Sequence, residues 1–209
     1  MLIACGDGTI GRRTFDYHNQ SIRRPSADYR PLVTMRLLLL RHAKSEKAEP
    51  GMADHERGLN ARGRKDAPTM GAYIAHHRLL PDLVLVSTAR RTRETWKRLA
   101  KELPGEPAVS YDDRLYDAAA RAILDLVKQT VPAVQTLLVI GHNPGLHDAA
   151  RLLIASGDVE ARERLNEGLP TSGLAVIDFA ADGWRKVHPR GGRLERFVSP
   201  RSLAQADRV

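Results

Sequence analysis

The stretch Met35-Arg36-Leu37-Leu38-Leu39-Leu40-Arg41-His42 decides the reading of this chain, because a short apolar run stops abruptly at a guanidinium and an imidazole. Consecutive apolar residues over so short a span are the mark of a strand buried on both faces, and the polar pair at its end is where function is expected. Downstream the pattern alternates. Asn60-Ala61-Arg62-Gly63 leads into a helix with Ala67, Met70, Ile74 and Leu79 on one side, and Leu83-Val84-Leu85-Val86 forms a second buried strand. Residues 92–103 read as a helix closed by Pro104-Gly105, residues 118–129 as an amphipathic helix through Ile123, Leu124 and Val127, residues 136–140 as a further strand, and residues 145–155 as a further helix. Residues 173–179 and 184–188, around the turn Ala181-Asp182-Gly183, are expected to add an antiparallel strand pair at the sheet's edge. Strands taking turns with helices define an α/β fold, a three-layer α/β/α sandwich with a mostly parallel central sheet. Upstream, residues 1–34 show neither period and are crowded with Gly, Arg, Asp, Ser and Pro, so they read as a poorly packed extension outside a domain spanning 35–209. Met35 directly precedes the first strand, which makes that extension readable either as an overcalled translation start or as a real, unstructured tail.

The composition narrows the classes. With 209 residues, 42% of them hydrophobic, the chain can bury roughly 70% of its unfolded surface and needs no disulfide or structural metal to hold a core. The lone cysteine, Cys5, forms no internal disulfide and supports no cysteine-rich zinc site, which fits a reducing cytoplasm. The longest apolar run, Leu37 to Leu40, is far short of the roughly 20 residues that span a bilayer, so no membrane is expected. The net charge of +8 suits an anionic partner, but the excess is spread along the chain. It forms no stripe and carries no interleaved aromatics, and a nucleic-acid partner is therefore not expected.

Sites in open α/β sheets form outside the carboxyl ends of the strands. Here those ends read Arg41-His42-Ala43-Lys44-Ser45, then Ser87-Thr88-Ala89-Arg90-Arg91-Thr92-Arg93-Glu94-Thr95, then Gly141-His142-Asn143-Pro144-Gly145. Singly, each is ordinary. Together they bring two imidazoles and several guanidinium forks to one edge, and the fork of an arginine matches phosphate oxygens. A neutral imidazole adds a nucleophile or a proton carrier near pH 7. A metal reading fails for want of a ligand set such as His-Glu-x-x-His, and no cofactor is expected. His76, His77 and His147 on expected helices, and Trp96 on a packing face, read as structural.

These three stretches, with Asp54-His55-Glu56-Arg57-Gly58-Leu59-Asn60-Ala61-Arg62-Gly63, resemble the histidine phosphatase superfamily, and within it the small SixA-type phosphohistidine phosphatases; the likeness runs from about Met35 to Phe197-Val198-Ser199-Pro200. The resemblance implies a phosphoglycerate mutase-like fold and a covalent, metal-independent mechanism. His42 would attack phosphorus, while Arg41, Arg91 and His142 would bind the phosphate and stabilise the charge on its equatorial oxygens. Arg91 rather than Arg90 matches the pocket arginine of the family pattern. The region where many members carry an acidic proton donor holds Asp112-Asp113-Arg114-Leu115-Tyr116-Asp117, in which Asp113 aligns as the candidate acid and equally well as a turn residue. Asp54 and Arg57 are expected to organise the loop above the site. The short chain leaves little room for a cap, so the expected partner is a phosphorylated protein, with phosphohistidine on a phosphotransfer domain preferred to a small phosphate ester. A phosphate-binding module without turnover is the alternative of another class.

Overall fold

A computed structural model of the chain describes residues 34–206, so apart from Thr34 the N-terminal extension expected from the sequence lies outside the described residues. Within them, β1 (Thr34–Arg41), β2 (Leu83–Ser87), β3 (Ala108–Asp112), β4 (Thr136–Gly141), β5 (Ile154–Gly157), β6 (Leu174–Ala180) and β7 (Gly192–Val198) form one sheet in the order β3-β2-β4-β1-β6-β7-β5. Helices α1 (Ala61–His76), α2 (Arg90–Leu99), α3 (Ala120–Lys128), α4 (Gly145–Leu153), α5 (Val159–Glu167) and α6 (Pro200–Ala206) connect or follow them. β1 pairs in parallel with β4, and β2 in parallel with β3 and β4. β6 runs antiparallel to both β1 and β7, while β7 and β5 pair in parallel, so β6 is the one reversed strand.

The leucine run of β1 explains the layering. Period-2 geometry sends Leu37 and Leu39 to one face and Leu38 and Leu40 to the other, and all four are fully buried. Leu37 and Leu39 share a core with Ile123, Val127 and Leu146 of α3 and α4, whereas Leu38 and Leu40 share one with Met70, Ile74, Trp96 and Leu99 of α1 and α2. An alternating strand would have left one layer of helices without a partner. Across the β1–β6 boundary, Arg36 and Asp178 stand opposite in register and join through Nε–Oδ1 (2.7 Å) and Nη2–Oδ2 (2.5 Å) hydrogen bonds.

Several expected elements change. The segment following Gly183 is a 3-10 turn, Trp184–Lys186, because Trp184 is swallowed by the core and donates its indole N–H to the Val134 carbonyl at 2.7 Å. The strand that pairs with β6 begins only at Gly192, and since β7 and then β5 continue the sheet, β6 is an interior strand rather than an edge. The helix expected over 145–155 ends at Leu153, where Ile154 turns extended and opens β5. The one expected over 92–103 begins earlier, at Arg90, and passes into a 3-10 turn at Ala100. The helix expected over 118–129 is trimmed to Ala120–Lys128. Leu79 is buried as expected but lies beyond the end of α1.

Candidate active site

Parallel pairing puts the carboxyl ends of β1, β2 and β4 at the same edge of the sheet, and the loops beyond them enclose a cavity of about 510 Å³. Arg41, His42, Arg91 and His142 all line it, together with Asp54, Tyr116 and Asn143. His42 and His142 are placed by backbone pairing: Arg41 stands beside Gly141 in register, and the His42 N–H donates to the Gly141 carbonyl at 3.1 Å. The imidazole centroids are 5.2 Å apart.

The loop after β1 is pinned from two sides. Thr95 of α2 accepts the Ala43 N–H at 3.0 Å and donates its hydroxyl to the Arg91 carbonyl at 2.6 Å, which ties the His42 loop to the turn that carries Arg91. Asn60 caps α1 by accepting the Gly63 N–H at 2.9 Å. Gly63 itself has no room to spare, since a Cβ there would stand 2.1 Å from the Lys44 carbonyl oxygen. The helix packs directly against the loop only because that residue lacks a side chain.

The His42 tautomer follows from its neighbour. Nδ1 lies 2.8 Å from the Ala43 carbonyl oxygen, which only accepts, so Nδ1 carries the proton and Nε2 keeps its lone pair. Burial pushes the pKa of His42 down to about 3; the Ala43 hydrogen bond opposes this, while His142, Arg91 and Arg41 add to it. The ring is thus neutral and nucleophilic across the physiological range. His142 is pushed down to about 4, again chiefly by burial and then by Arg91, with Asp54 opposing. Its Nε2 lies 2.8 Å from Ser87 Oγ. With Ser87 as donor, His142 presents Nδ1–H, a buried group with no hydrogen-bond partner among the described residues.

Both arginines are built into the wall. Arg41 donates Nη1–H to the Leu169 carbonyl at 2.9 Å, and the Asn143 side chain donates to the same oxygen at 2.8 Å. Arg91, 5% exposed, donates Nη1–H to the Asp54 carbonyl (2.7 Å) and Nη2–H to Asp54 Oδ2 (2.9 Å). The Nε of each is buried without a partner among the described residues. Donors of fixed position and unmet hydrogen-bonding capacity, facing two neutral imidazoles, are suited to a phosphoryl group. Arg90 points elsewhere, being exposed and paired with Glu94 at 2.8 Å.

Asp113 is not among the lining residues. It opens the 3-10 turn Asp113–Leu115, whose buried residue is Leu115, and this rotation leaves Asp113 exposed while Tyr116 enters the site. Tyr116 is a site residue that the sequence does not single out by itself, although the Arg-x-Tyr pattern points at it. Its hydroxyl donates to Asp54 Oδ2 at 2.9 Å, and its ring meets His142 edge-on at 5.5 Å. Asp54, expected to organise the loop with Arg57, does pair with Arg57 at 2.8 Å, yet it also reaches the cavity. Partial desolvation of its carboxyl is outweighed by the Tyr116 hydrogen bond and the charges of Arg91 and Arg57, and the pKa falls below the usual carboxylate range. His147, read as structural, donates Nε2–H to the Leu165 carbonyl at 2.7 Å, and Trp96 packs in the core under α1 and α2.

Burying two neutral imidazoles makes stability depend on pH. Both folded pKa values lie below the unfolded value near 6.5, so the unfolded chain binds more protons between about pH 6.5 and 4. The stabilising contribution is complete above pH 6.5 and is lost as pH falls, at about 1.4 kcal/mol per pH unit for each histidine. Urea unfolding at pH 7 and 5 is expected to show a smaller loss in His42→Asn than in the native chain; equal losses would mean that His42 is readily protonated in place.

A family model described as the histidine phosphatase superfamily (branch 1) matches residues 37–133. An uncharacterised protein of Mycobacterium tuberculosis is 37% identical over 164 residues, covering 78% of this chain and all of the relative. A solved structure from Agrobacterium tumefaciens, provisionally assigned as the phosphohistidine phosphatase SixA, superposes with a TM-score of 0.68 at 34% identity, over 79% of this chain and 98% of that one. The fold of the protein histidine phosphatase SixA in complex with tungstate is also shared, with a TM-score of 0.63 at 19% identity, over 81% and 99%. The chain belongs to the histidine phosphatase superfamily and is of the SixA type. Its fold is the phosphoglycerate mutase-like one, and the family supports phosphatase activity on phosphorylated substrates. No helix among the described residues is long and apolar enough to cross a membrane.

Proposed function

We propose that the protein is a metal-independent phosphatase that passes the phosphoryl group through His42, with phosphohistidine on a phosphotransfer protein as its substrate. The observation that carries the reading is the fixed tautomer of His42, whose Nδ1–H is held by the Ala43 carbonyl so that Nε2 is the attacking nitrogen. Nε2 forms a bond to phosphorus as the bond from phosphorus to the substrate's imidazole nitrogen breaks. Arg41, Arg91 and His142 hold the equatorial oxygens during this transfer. Water then attacks phosphorus, the bond to Nε2 breaks, and inorganic phosphate leaves with His42 restored.

The leaving group decides how much acid help is needed. An imidazole leaves readily once its ring is protonated, whereas an alkoxide needs a proton in the transition state. Asp54 and Asp117 are the carboxylates that line the cavity; the lowered pKa of Asp54 keeps it ionised, Asp117 is exposed to solvent, and Asp113 stands outside. A site whose carboxylates are an ionised Asp54 and a solvent-exposed Asp117 holds no buried acid, which suits a phosphoramidate and favours phosphohistidine over alkyl phosphates. The test compares turnover of a phosphohistidine protein, an aryl phosphate and an alkyl phosphate without added metal. The first two are expected to be consumed and the third to lag by at least roughly tenfold; alkyl phosphates turning over fastest would reject the phosphohistidine reading in favour of a small-phosphomonoester phosphatase. Asp113→Asn is expected to leave all three rates within about twofold, because surface changes away from a site rarely matter. A selective loss on the alkyl ester would restore Asp113 as the acid.

A further inference from the structure

A second cavity, of about 710 Å³, opens directly beside the catalytic one and shares Arg41, Asn143 and Thr171 with it. Leu169, Pro170, Thr171 and Phe197 line it together with the exposed Arg62, Arg164 and Arg201 from α1, α5 and α6. Arg62 is engaged by Asp66 at 3.2 Å, but the side chains of Arg164 and Arg201 have neither a hydrogen bond nor an ion pair among the described residues. One carboxylate, Glu167, lines the same groove. The cavity over α2 is basic too, with Lys97, Arg98 and Lys101 beside the pairs Arg90–Glu94 and Arg64–Glu46, but it shares no lining residue with the catalytic cavity. Of these two basic grooves, the one continuous with the catalytic mouth lies on the α5–α6 side.

We infer that this groove is the docking surface for an acidic protein partner, whose carboxylates meet Arg164 and Arg201 while its phosphorylated side chain enters the cavity at His42. The inference rests on the phosphohistidine reading above. A wide groove of mixed lining that carries exposed, separately mounted charges is the anatomy of an interface rim rather than of an enclosing small-molecule pocket. Rim charges of this kind speed encounter and lower KM without touching the chemical step.

The experiment uses an acidic histidine-phosphotransfer domain phosphorylated with phosphoramidate, and p-nitrophenyl phosphate as the small substrate. In the Arg164→Gln/Arg201→Gln double variant, KM for the phosphoprotein is expected to rise roughly five- to tenfold at unchanged kcat, with a weaker dependence on salt. Turnover of p-nitrophenyl phosphate should not change, and Glu167→Gln should lower KM for the phosphoprotein. Unchanged phosphoprotein kinetics in the double variant, or an equal effect on p-nitrophenyl phosphate, would overturn the assignment. If the native chain does not consume the phosphoprotein, the phosphohistidine reading fails on its own, and the groove is judged by competition. Inhibition of p-nitrophenyl phosphate turnover by the unphosphorylated domain that is lost in the double variant supports docking there; absent or unaltered inhibition overturns it.

Discussion

Turnover is expected to fall to background in His42→Ala, with no acid-labile, alkali-stable phosphoenzyme trapped when the variant is quenched during reaction with labelled substrate. In the proposed mechanism Nε2 of His42 is the atom that bonds to phosphorus, and no adjacent group takes its place. His142 is the nearest imidazole, but its Nε2 is engaged with Ser87 and its ring lies 5.2 Å away across the cavity. Its Nδ1 faces the same cavity only as a proton donor if Ser87 donates to Nε2. His142→Ala is therefore expected to lower the rate while still allowing a phosphoenzyme to form. Full activity in His42→Ala would reject the covalent mechanism and return the chain to phosphate binding without turnover. A phosphoenzyme persisting in His42→Ala but absent from His142→Ala would exchange the two roles.

Those positions are legible in the sequence for a physical reason. β1, β2 and β4 are buried on both faces, so each reads as an uninterrupted apolar run whose end is marked by the first polar residue. Parallel strands send those ends to one edge, and the amino-acid order alone therefore groups four residues from three distant stretches of the chain. Where burial is one-sided or incomplete, the signal fades. β3 lies at an edge with Ala108 to Tyr111 all exposed, and it leaves no hydrophobic trace. Trp184 resembles a strand residue by type, but its indole N–H needs a buried acceptor, and reaching Val134 turns the backbone into a 3-10 turn. The acid is obscure for a similar reason. Asp113 and Tyr116 are three residues apart, and whether one or the other enters the cavity depends on how the Asp113–Leu115 turn buries Leu115. Asp54 gives no sign in sequence that it will reach Arg91, 37 residues away, because that contact is made by a loop.

Arg91→Ala is expected to lower kcat by roughly two to three orders of magnitude, the scale on which one preorganised charge-stabilising donor acts. The structure gives two reasons for an effect at the upper end. The guanidinium is 5% exposed, so its interaction with a phosphoryl oxygen is weakly screened. Its Nη atoms also hold Asp54 through two hydrogen bonds, one to the backbone and one to the carboxylate, and removing them leaves that carboxylate held only by Arg57 and Tyr116, its charge less compensated opposite the incoming phosphate. Arg91→Ala/Asp54→Asn should accordingly recover part of the loss, and a double variant no better than Arg91→Ala would show that Asp54 does not oppose the substrate. Arg91→Lys restores the charge without the planar fork and is expected to recover less than the native rate by at least about tenfold, since a point charge cannot serve Asp54 and a phosphoryl oxygen together. Arg90→Ala is the internal control: it removes an exposed cation bound to Glu94, and its rate on small substrates should stay within about threefold of native. Thermal unfolding of each variant separates lost chemistry from lost fold. If Arg90→Ala were the more damaging substitution in a chain that remains folded, the phosphate would have to be held by the outer arginine, and the cavity around His42 would need a different occupant.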